Sequence, residues 1–311
     1  MPRRRRTLAV LALCVTFALW CVTFGSCRQA GMASKYFLTP CAGSGPERSG
    51  DFEIKLPPLD LEAYYAELDA FRDSFRFELV QTVEHEARQF PIYWIRRERP
   101  GAPRLLVVAG VHGDERAALI GIPAILQSLR SGDADRWDVS VIAPVNPVGV
   151  AYTSRYNGAG CDINRDFGEF QTLEAQAVRH VIEAYRPEVV VAPHEGPQDG
   201  FFLIATASAD GELAEAVVRK LADAGVTMAS QSFLGIGLGT PGLSVEGSML
   251  AATKRWIGLG SLGTYLDSLK VATYTTESSW GSDAFDERIR SHVLAIRAIL
   301  EIAPREPDVA P

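Results

Sequence analysis

Short apolar runs alternate with amphipathic stretches through the middle of the chain. Continuous apolar runs are typical of strands buried on both faces, and they occupy residues 104–111, 139–143 and 188–192, with a shorter strand-like run at 273–276. Alternating polar and apolar residues predict a hairpin formed by 77–83 and 90–96. Helical spacing predicts helices over 59–74, 115–130, 171–185, 209–224 and 285–301. Because strands alternate with helices, we predict an α/β fold with a sheet covered on both faces.

The two ends of the chain differ in composition from this middle part. Four arginines at 3–6, an apolar run over 7–24 and small residues before Cys27 predict an export signal over 1–27. Residues 28–58, rich in Gly, Pro and Ser, predict a flexible tether, and 304–311 predict a disordered tail. The folded domain is therefore expected over 59–303.

The predicted export signal has two interpretations. Small residues directly before a cysteine resemble a bacterial lipoprotein signal, which is cut before the cysteine so that Cys27 would carry lipid. The alternative is an uncleaved membrane anchor, since the apolar run is just long enough to span a bilayer. Both interpretations place the domain outside the cytoplasm, in the periplasm or at the cell surface, associated with a membrane through its N-terminal lipid or anchor.

Composition and charge narrow the class of protein. Of the 311 residues, 47% are hydrophobic and 22% are charged, which is typical of a globular protein. A net charge of −7 argues against nucleic acid as a partner. Beyond the signal only Cys41 and Cys161 remain; they could pair in an oxidising compartment, although two cysteines do not make a disulfide framework.

Two histidines follow the most buried-looking strands. His112 and Glu115, three residues apart, come directly after the strand at 104–111, and His194 follows the strand at 188–192. Because ligands bind at the carboxyl ends of strands in such sheets, these three side chains predict a metal site. Two imidazoles and one carboxylate are typical of catalytic zinc, which keeps a fourth position for water. The other histidines are interpreted as structural: His85, His180 and His292.

Two further segments carry candidate chemistry. The loop over 146–167 places Arg155, Asn164 and Arg165 among glycines, which suggests recognition of an anion, because a guanidinium group binds a carboxylate in a planar fork. Glu277 ends the short strand at 273–276 and could take a proton from an activated water.

Taken together, these motifs resemble the M14 zinc metallocarboxypeptidase superfamily. The pattern is HGDE, then NPxG with R, N, G, D and NR following, then a strand ending in His, then TxE, and it extends over roughly 59–300. It is most similar to the bacterial branch that includes the murein peptide amidases. The resemblance implies a single domain with a mixed, twisted sheet of about eight strands and helices on both faces.

The resemblance also implies a role for each matching residue. One zinc ion would be held by His112, Glu115 and His194. Arg155 would polarise the scissile carbonyl and hold the oxyanion. Asn164 and Arg165 would bind the terminal carboxylate of the substrate. Glu277 would serve first as general base and then as general acid.

The chain departs from the superfamily pattern at a few positions. Carboxypeptidases carry a tyrosine in the loop before the catalytic glutamate, whereas the segment 254–258 holds none and Tyr265 comes later, so the substrate-capping residue stays open. Asp166 stands where asparagine is frequent. Asp114 follows the bacterial pattern, whereas digestive carboxypeptidases have an arginine there.

The resemblance predicts hydrolysis of an amide bond next to a free carboxylate. Export favours a peptide or muropeptide from peptidoglycan, whose stems carry free carboxylates. One alternative is an N-acyl amino-acid hydrolase of the succinylglutamate desuccinylase or aspartoacylase type, which shares the zinc set. Another is a surface lipoprotein that binds peptides without catalysis.

Overall fold

The computed structural model describes residues 41, 45–46, 59–132, 136–257, 259–281 and 284–302. The predicted export signal, nearly all of the predicted tether and the predicted tail lie outside the described residues. Among the described residues, no helix is both long and apolar enough to cross a bilayer.

One mixed sheet of eight strands organises the described domain. Its strands are β1 (Arg76–His85), β2 (Arg88–Arg97), β3 (Arg104–Val108), β4 (Asp138–Ala143), β5 (Val189–Gly196), β6 (Phe202–Ala205), β7 (Leu243–Val245) and β8 (Ala272–Ser279). The order across the sheet is β1-β2-β4-β3-β5-β8-β6-β7. The central strands β4, β3, β5 and β8 run parallel, and the neighbours β2 and β6 run antiparallel to them. The predicted fold class, an α/β domain with a mixed sheet of about eight strands, is confirmed.

Helices connect most of these strands. They are α1 (Leu61–Asp69), α2 (Arg116–Ile120), α3 (Ile122–Arg130), α4 (Pro147–Tyr152), α5 (Leu173–Tyr185), α6 (Gly211–Asp223), α7 (Ser248–Ile257), α8 (Leu262–Ser268) and α9 (Phe285–Ile302), with a 3-10 turn at Ile163–Arg165. Several begin at a side chain that accepts backbone N–H groups of the first turn, and these caps are Asp60, Thr172, Asp210 and Ser261.

The hydrophobic pattern predicted the central strands well because each is covered on both faces. All of β4, and four of the five residues of β3, are buried. The apolar side chains between sheet and helices form one continuous core. This burial is the main favourable contribution to folding.

Some predicted boundaries were wrong. The single helix predicted over 115–130 is two helices, α2 and α3, which meet at Gly121. Pro123 has no N–H to donate to Leu119, so the helical hydrogen bonds cannot run through this point. The segment at 254–258, interpreted as a loop, is helical as far as Ile257 in α7. There Lys254 pairs with Glu246, and Arg255 pairs with Asp267.

The two cysteines whose pairing the sequence left undecided form a disulfide. Cys41 and Cys161 form a disulfide across 120 positions of sequence. Cys161 directly precedes Asp162, a residue of the site described below. The bond therefore ties residue 41 to the loop that carries part of that site.

Candidate metal centre and active site

The topology brings three separate segments to one edge of the sheet. β3, β5 and β8 are adjacent and parallel, so their carboxyl ends face the same way. The loop after β3 carries His112 and Glu115, the end of β5 carries His194, and the end of β8 carries Glu277. His194 and Glu277 are directly paired in the register of the two strands. Both strands extend further than the apolar runs predicted, because their polar last residues still pair within the sheet.

The three predicted metal ligands converge. His112 Nδ1 lies 2.7 Å from Glu115 Oε1, His194 Nδ1 lies 2.7 Å from Glu115 Oε2, and the two Nδ1 atoms are 3.2 Å apart. All three residues are buried. Two ligands of one tetrahedral zinc stand roughly 3.3 Å apart, given Zn–N and Zn–O bonds of about 2.0–2.2 Å. This donor set therefore fits a single metal ion of zinc size.

A close backbone approach shapes the turn between His112 and Glu115. A Cβ atom on Gly113 would lie 1.9 Å from the carbonyl carbon of Gly149, so only glycine fits there. The Gly113 N–H donates to the carbonyl of Ser154 at 2.9 Å. The metal-ligand loop is thereby fastened to α4 and to the residue before Arg155.

Asp162 contacts both a predicted metal ligand, His112, and Arg155, the residue predicted to hold the oxyanion. His112 Nε2 lies 3.1 Å from Asp162 Oδ1, while Arg155 Nε donates to Asp162 Oδ2 at 2.9 Å. Since Nδ1 of His112 faces the other ligands, Nε2 carries the hydrogen and donates it. A carboxylate in this place fixes the orientation of the imidazole and raises its basicity as a ligand. Arg155 Nη1 also lies 3.4 Å from Glu115 Oε1.

Sequence alone assigned no separate role to Asp162. The motif nevertheless pointed to Asp162 as a site residue, because the aspartate stands beside Asn164 and Arg165 in the sequence. Only the fold shows that it faces His112, which is 50 positions away.

The charges of the site alter the pKa values of its acids and bases. Burial raises the pKa of Glu277 well above its usual range, and the negative charge of Glu115 adds to the effect. Burial also acts to raise the pKa of Glu115, but the imidazoles of His112 and His194 outweigh it and hold that pKa below its usual range. The site therefore contains one carboxylate that stays ionised among the ligands and a second one that binds a proton readily.

The pKa values of the two imidazoles shift in opposite directions. Burial lowers the pKa of His194, which favours the neutral form that binds metals. Burial and the charge of Arg155 also act to lower the pKa of His112, yet Glu115 and Asp162 outweigh them and raise it. A proton therefore competes with a cation for His112.

Asn164 and Arg165 lie in the 3-10 turn directly after Asp162. Both are half-buried. The Asn164 side-chain oxygen accepts the backbone N–H of Leu262 at 2.9 Å, and Arg165 Nη1 donates to the Asn164 carbonyl at 2.7 Å. A Cβ atom on Gly260 would lie 2.2 Å from the Arg165 carbonyl oxygen, so the segment before α8 is packed tightly against this turn.

The positions that depart from the superfamily pattern have identifiable surroundings. Asp166 accepts the backbone N–H groups of Gln171 and Thr172, at 3.0 and 2.6 Å, so it braces the start of α5. Tyr265 lies on α8 and packs edge-on against Phe170, with ring centroids 4.9 Å apart. Asp114 is buried beside the ligands.

Comparisons with known proteins show what this chain is similar to. Residues 101–188 match the family model of the succinylglutamate desuccinylase/aspartoacylase catalytic domain. That segment includes His112, Glu115, Arg155 and Asp162 and ends before His194. Carboxypeptidase 2 of Trichophyton tonsurans is 28% identical over 123 residues, which are 35% of this chain and 23% of that protein. The match thus spans about a quarter of the relative's length.

Solved structures extend the likeness to most of the chain. A Shewanella denitrificans OS217 protein with a provisional metallopeptidase assignment is 20% identical, covers 86% of this chain and 98% of its own, and has a TM-score of 0.64. A Pseudomonas aeruginosa metallo-carboxypeptidase in complex with (2-guanidinoethylmercapto)succinic acid is 14% identical, covers 78% of this chain and 69% of its own, and has a TM-score of 0.58.

The described domain therefore has the metallocarboxypeptidase fold, with a His-Glu-His set at the place where the sequence predicted a metal site. The fold implied by the resemblance to the M14 zinc metallocarboxypeptidase superfamily is confirmed. The relatives and structural neighbours are carboxypeptidases or metallopeptidases, in agreement with the predicted hydrolase class.

Proposed function

We propose that this chain is a zinc-dependent carboxypeptidase or amidase that hydrolyses an amide bond next to a free carboxylate. The observation that carries the proposal is the meeting of His112, Glu115 and His194 at one point, with Glu277 paired in register to His194. Imidazole and carboxylate ligands favour zinc among the divalent ions, and a site with three protein ligands keeps room for a substrate.

In this proposal each residue of the site has a separate role in the hydrolysis. Zinc held at this site supplies Lewis acidity, which polarises a carbonyl group and acidifies water. Glu277, buried and with a raised pKa, takes the proton of the attacking water and delivers it to the departing nitrogen. Arg155, held by Asp162, directs its guanidinium group toward the metal ligands and stabilises the negative oxygen that develops.

The free carboxylate of the substrate is assigned to Asn164 and Arg165. Arg165 is half-buried, and its guanidinium group can form two parallel hydrogen bonds to a carboxylate. The bond from Leu262 to Asn164 holds that side chain in place beside it. In support, the Pseudomonas aeruginosa neighbour is complexed with a derivative of succinic acid, which carries carboxylates.

The finer proposal concerns the source of the peptide. The predicted export signal, with lipid at Cys27 or an uncleaved anchor, would place the domain beside the bacterial cell wall. Peptidoglycan stem peptides carry free carboxylates next to amide bonds, which suits a site with Arg155 and Arg165. We therefore propose muropeptides as the substrate class.

A second candidate is an N-acyl amino-acid hydrolase. The observation that favours it is the match of 101–188 to the succinylglutamate desuccinylase/aspartoacylase catalytic domain. An acyl amino acid also presents a carboxylate beside an amide bond, so the same ligands and arginines would serve. The predicted export signal favours the peptide substrate, because relatives of that type are typically cytoplasmic.

A third candidate, a surface lipoprotein that binds peptides without catalysis, is the weakest. Such a protein would have no need to keep both the ligand set and a buried glutamate in register with it. Here His112, Glu115, His194 and Glu277 are all present and lie together.

The test is a substrate panel read out by mass spectrometry. Purified protein, loaded with zinc, is incubated with defined muropeptides, with the same peptides carrying a carboxamide in place of the free carboxylate, and with N-succinylglutamate and N-acetylaspartate. We expect cleavage of the free muropeptides only, sensitivity to EDTA, and loss of turnover with zinc retained in Glu277→Gln. Cleavage of the acyl amino acids instead would favour the second candidate. No cleavage of any substrate by the zinc-loaded protein would contradict the enzyme proposal.

A further inference from the structure

A buried polar network lies behind the catalytic face of the sheet. Successive side chains of a strand point to opposite faces. His194 and Glu277 are paired on one face, so their neighbours Glu195 and Ser278, also paired, lie on the other. Helix α9 packs against this rear face through Arg288 and through His292, one helical turn later.

An ion pair joins α9 to the strand that carries a metal ligand. Arg288 Nε and Nη2 lie 2.7 and 2.5 Å from Glu195 Oε1, and both side chains are almost fully buried. The other oxygen of Glu195 accepts the backbone N–H of Ala117 at 3.0 Å. Ala117 is in the first turn of α2, two residues after the ligand Glu115. The pair thus connects β5, α2 and α9.

His292 joins α9 to the strand that carries the proposed base. Its Nδ1 lies 2.8 Å from the Thr276 hydroxyl oxygen, and its Nε2 lies 3.0 Å from the Ser278 hydroxyl oxygen. Thr276 and Ser278 are the residues on either side of Glu277. The Ser278 hydroxyl donates in turn to Glu195 Oε1 at 3.1 Å, which links the two halves of the network.

The direction of each hydrogen bond follows from this arrangement. Since the Ser278 hydroxyl gives its hydrogen to Glu195, it can only accept from His292, so Nε2 carries the ring hydrogen. Nδ1 is then the acceptor, and Thr276 donates to it. Burial lowers the pKa of His292 to about 3, so the ring is neutral and these roles are fixed near neutral pH.

We infer that His292, supported by Arg288 and Glu195, is a positioning residue that fixes the orientation of Glu277 through the hydroxyls of Thr276 and Ser278. The inference rests on the proposed function, in which Glu277 is the base. The two hydroxyls and the carboxylate share one strand, so a twist of β8 that moves the rear side chains also swings Glu277 on the front. A displacement of about 1 Å at a catalytic group can reduce turnover by about 100-fold.

The test uses two variants of His292 and one control. His292→Asn can replace the contact of Nδ1, and His292→Gln can replace that of Nε2, so each retains one of the two bonds. Tyr185→Phe is the control, because it removes the buried hydroxyl that donates to the carbonyl oxygen and Oδ1 of Asp138, at 2.6 and 2.8 Å. Asp138 is the first residue of β4, so it lies at the amino ends of the parallel strands, whereas the site lies at their carboxyl ends. If neither His292 variant folds, Ser278→Ala, which changes fewer atoms, takes their place.

We expect kcat on the muropeptide to fall roughly 10- to 100-fold in the His292 variants, as for other residues that orient a functional group. KM and bound zinc should stay within about twofold of wild type. In the Glu277→Gln background His292→Asn should cause no further loss, because the residue it positions is already gone. Tyr185→Phe should lower the melting temperature to a similar extent while leaving kcat unchanged.

A crystal structure of His292→Asn gives a second readout that does not need activity. We expect the Glu277 carboxylate to be displaced or spread over two conformations while the three metal ligands stay in place. An unmoved Glu277, an unchanged kcat, a loss of zinc, or a loss of kcat that persists in Glu277→Gln would each overturn the inference. If wild type cleaves nothing, the proposed function fails alone, and the crystal structure still decides whether His292 positions Glu277.

Discussion

The substitution Asp162→Asn tests whether Asp162 supports both the metal ligand His112 and the guanidinium group of Arg155. The carboxylate is almost fully buried, and it accepts from His112 and from the backbone N–H of Asn164 at Oδ1, and from Arg155 at Oδ2. An amide in its place must turn its NH2 group toward one of these donors. Whichever way it turns, at least one hydrogen bond is replaced by a contact between two donors.

The expected magnitude follows from the type of contact that is lost. Removing the carboxylate that orients a ligating histidine weakens metal binding by about 10- to 100-fold, which corresponds to roughly 1.4–2.7 kcal/mol. The buried Arg155 also loses an anionic partner. Breaking a buried ion pair costs about 3–5 kcal/mol, and we expect the lower end because the amide can still accept one bond.

The pH dependence of that stability loss provides an internal check. Burial acts to raise the pKa of Asp162, but Arg155 and His112 outweigh it and hold the pKa well below its ordinary value of 3.8. A lowered pKa means that the carboxylate stabilises the fold fully above 3.8 and loses this contribution as pH falls further. The difference between wild type and Asp162→Asn should therefore be constant from about pH 5 upward and shrink below about pH 4.

The assay titrates zinc into apo protein against a chromogenic chelator and measures unfolding by urea in parallel. Asp166→Asn is the matched control, because it removes a carboxylate from the same loop that braces α5 rather than His112. It should lower the free energy of unfolding by about 1–2 kcal/mol and leave zinc affinity within about twofold. A zinc affinity of Asp162→Asn equal to that of the control would refute the reasoning.

Three further results are expected. Burial lowers the pKa of His292 from 6.5 to about 3, so the fold loses stability by about 1.4 kcal/mol per pH unit as the pH drops from 6.5 toward 3. In His292→Gln, the free energy of unfolding by urea should fall less steeply with pH over this window. Equal slopes in wild type and variant would contradict the burial argument. Zinc affinity should weaken as pH falls through the raised pKa of His112, with proton release on binding measurable by calorimetry in buffers of different ionisation enthalpy; binding without proton release would count against His112 as a ligand. Glu277→Gln should lower kcat by about 100-fold or more while metal analysis still finds one zinc, since the residue acts on protons and is absent from the ligand set; loss of the metal would reassign Glu277 to a ligand role.

Much of the fold could be predicted from the sequence because its central strands are covered on both faces. Such strands leave continuous apolar runs, which identified β3, β4 and β5. The short strands β6 and β7 near one edge, and the helix α7, were not predicted. Val245 at the end of β7 and Met249 in α7 are largely exposed, so solvent contact breaks the pattern in those two elements. β6 is buried but has only four residues, and periodicity does not identify so short an apolar run as a strand.

By itself, the sequence predicted which side chains could form the site. Two histidines and a glutamate placed just past buried strands predicted both the ligands and the edge of the sheet where they meet, because parallel strands end on the same side. It also determined where Glu277 lies, at the end of β8. These conclusions depend on local patterns and on the motifs of the superfamily.

The tertiary structure decided which residues support the ligands. Asp162 faces His112, and His292 of the closing helix contacts both neighbours of Glu277, only because loops and α9 pack against the sheet. A polar side chain carries no periodic signal of its own, so its partner is visible only once the fold has brought distant segments together. For the same reason, the sequence alone could not show that Cys41 and Cys161 form a disulfide.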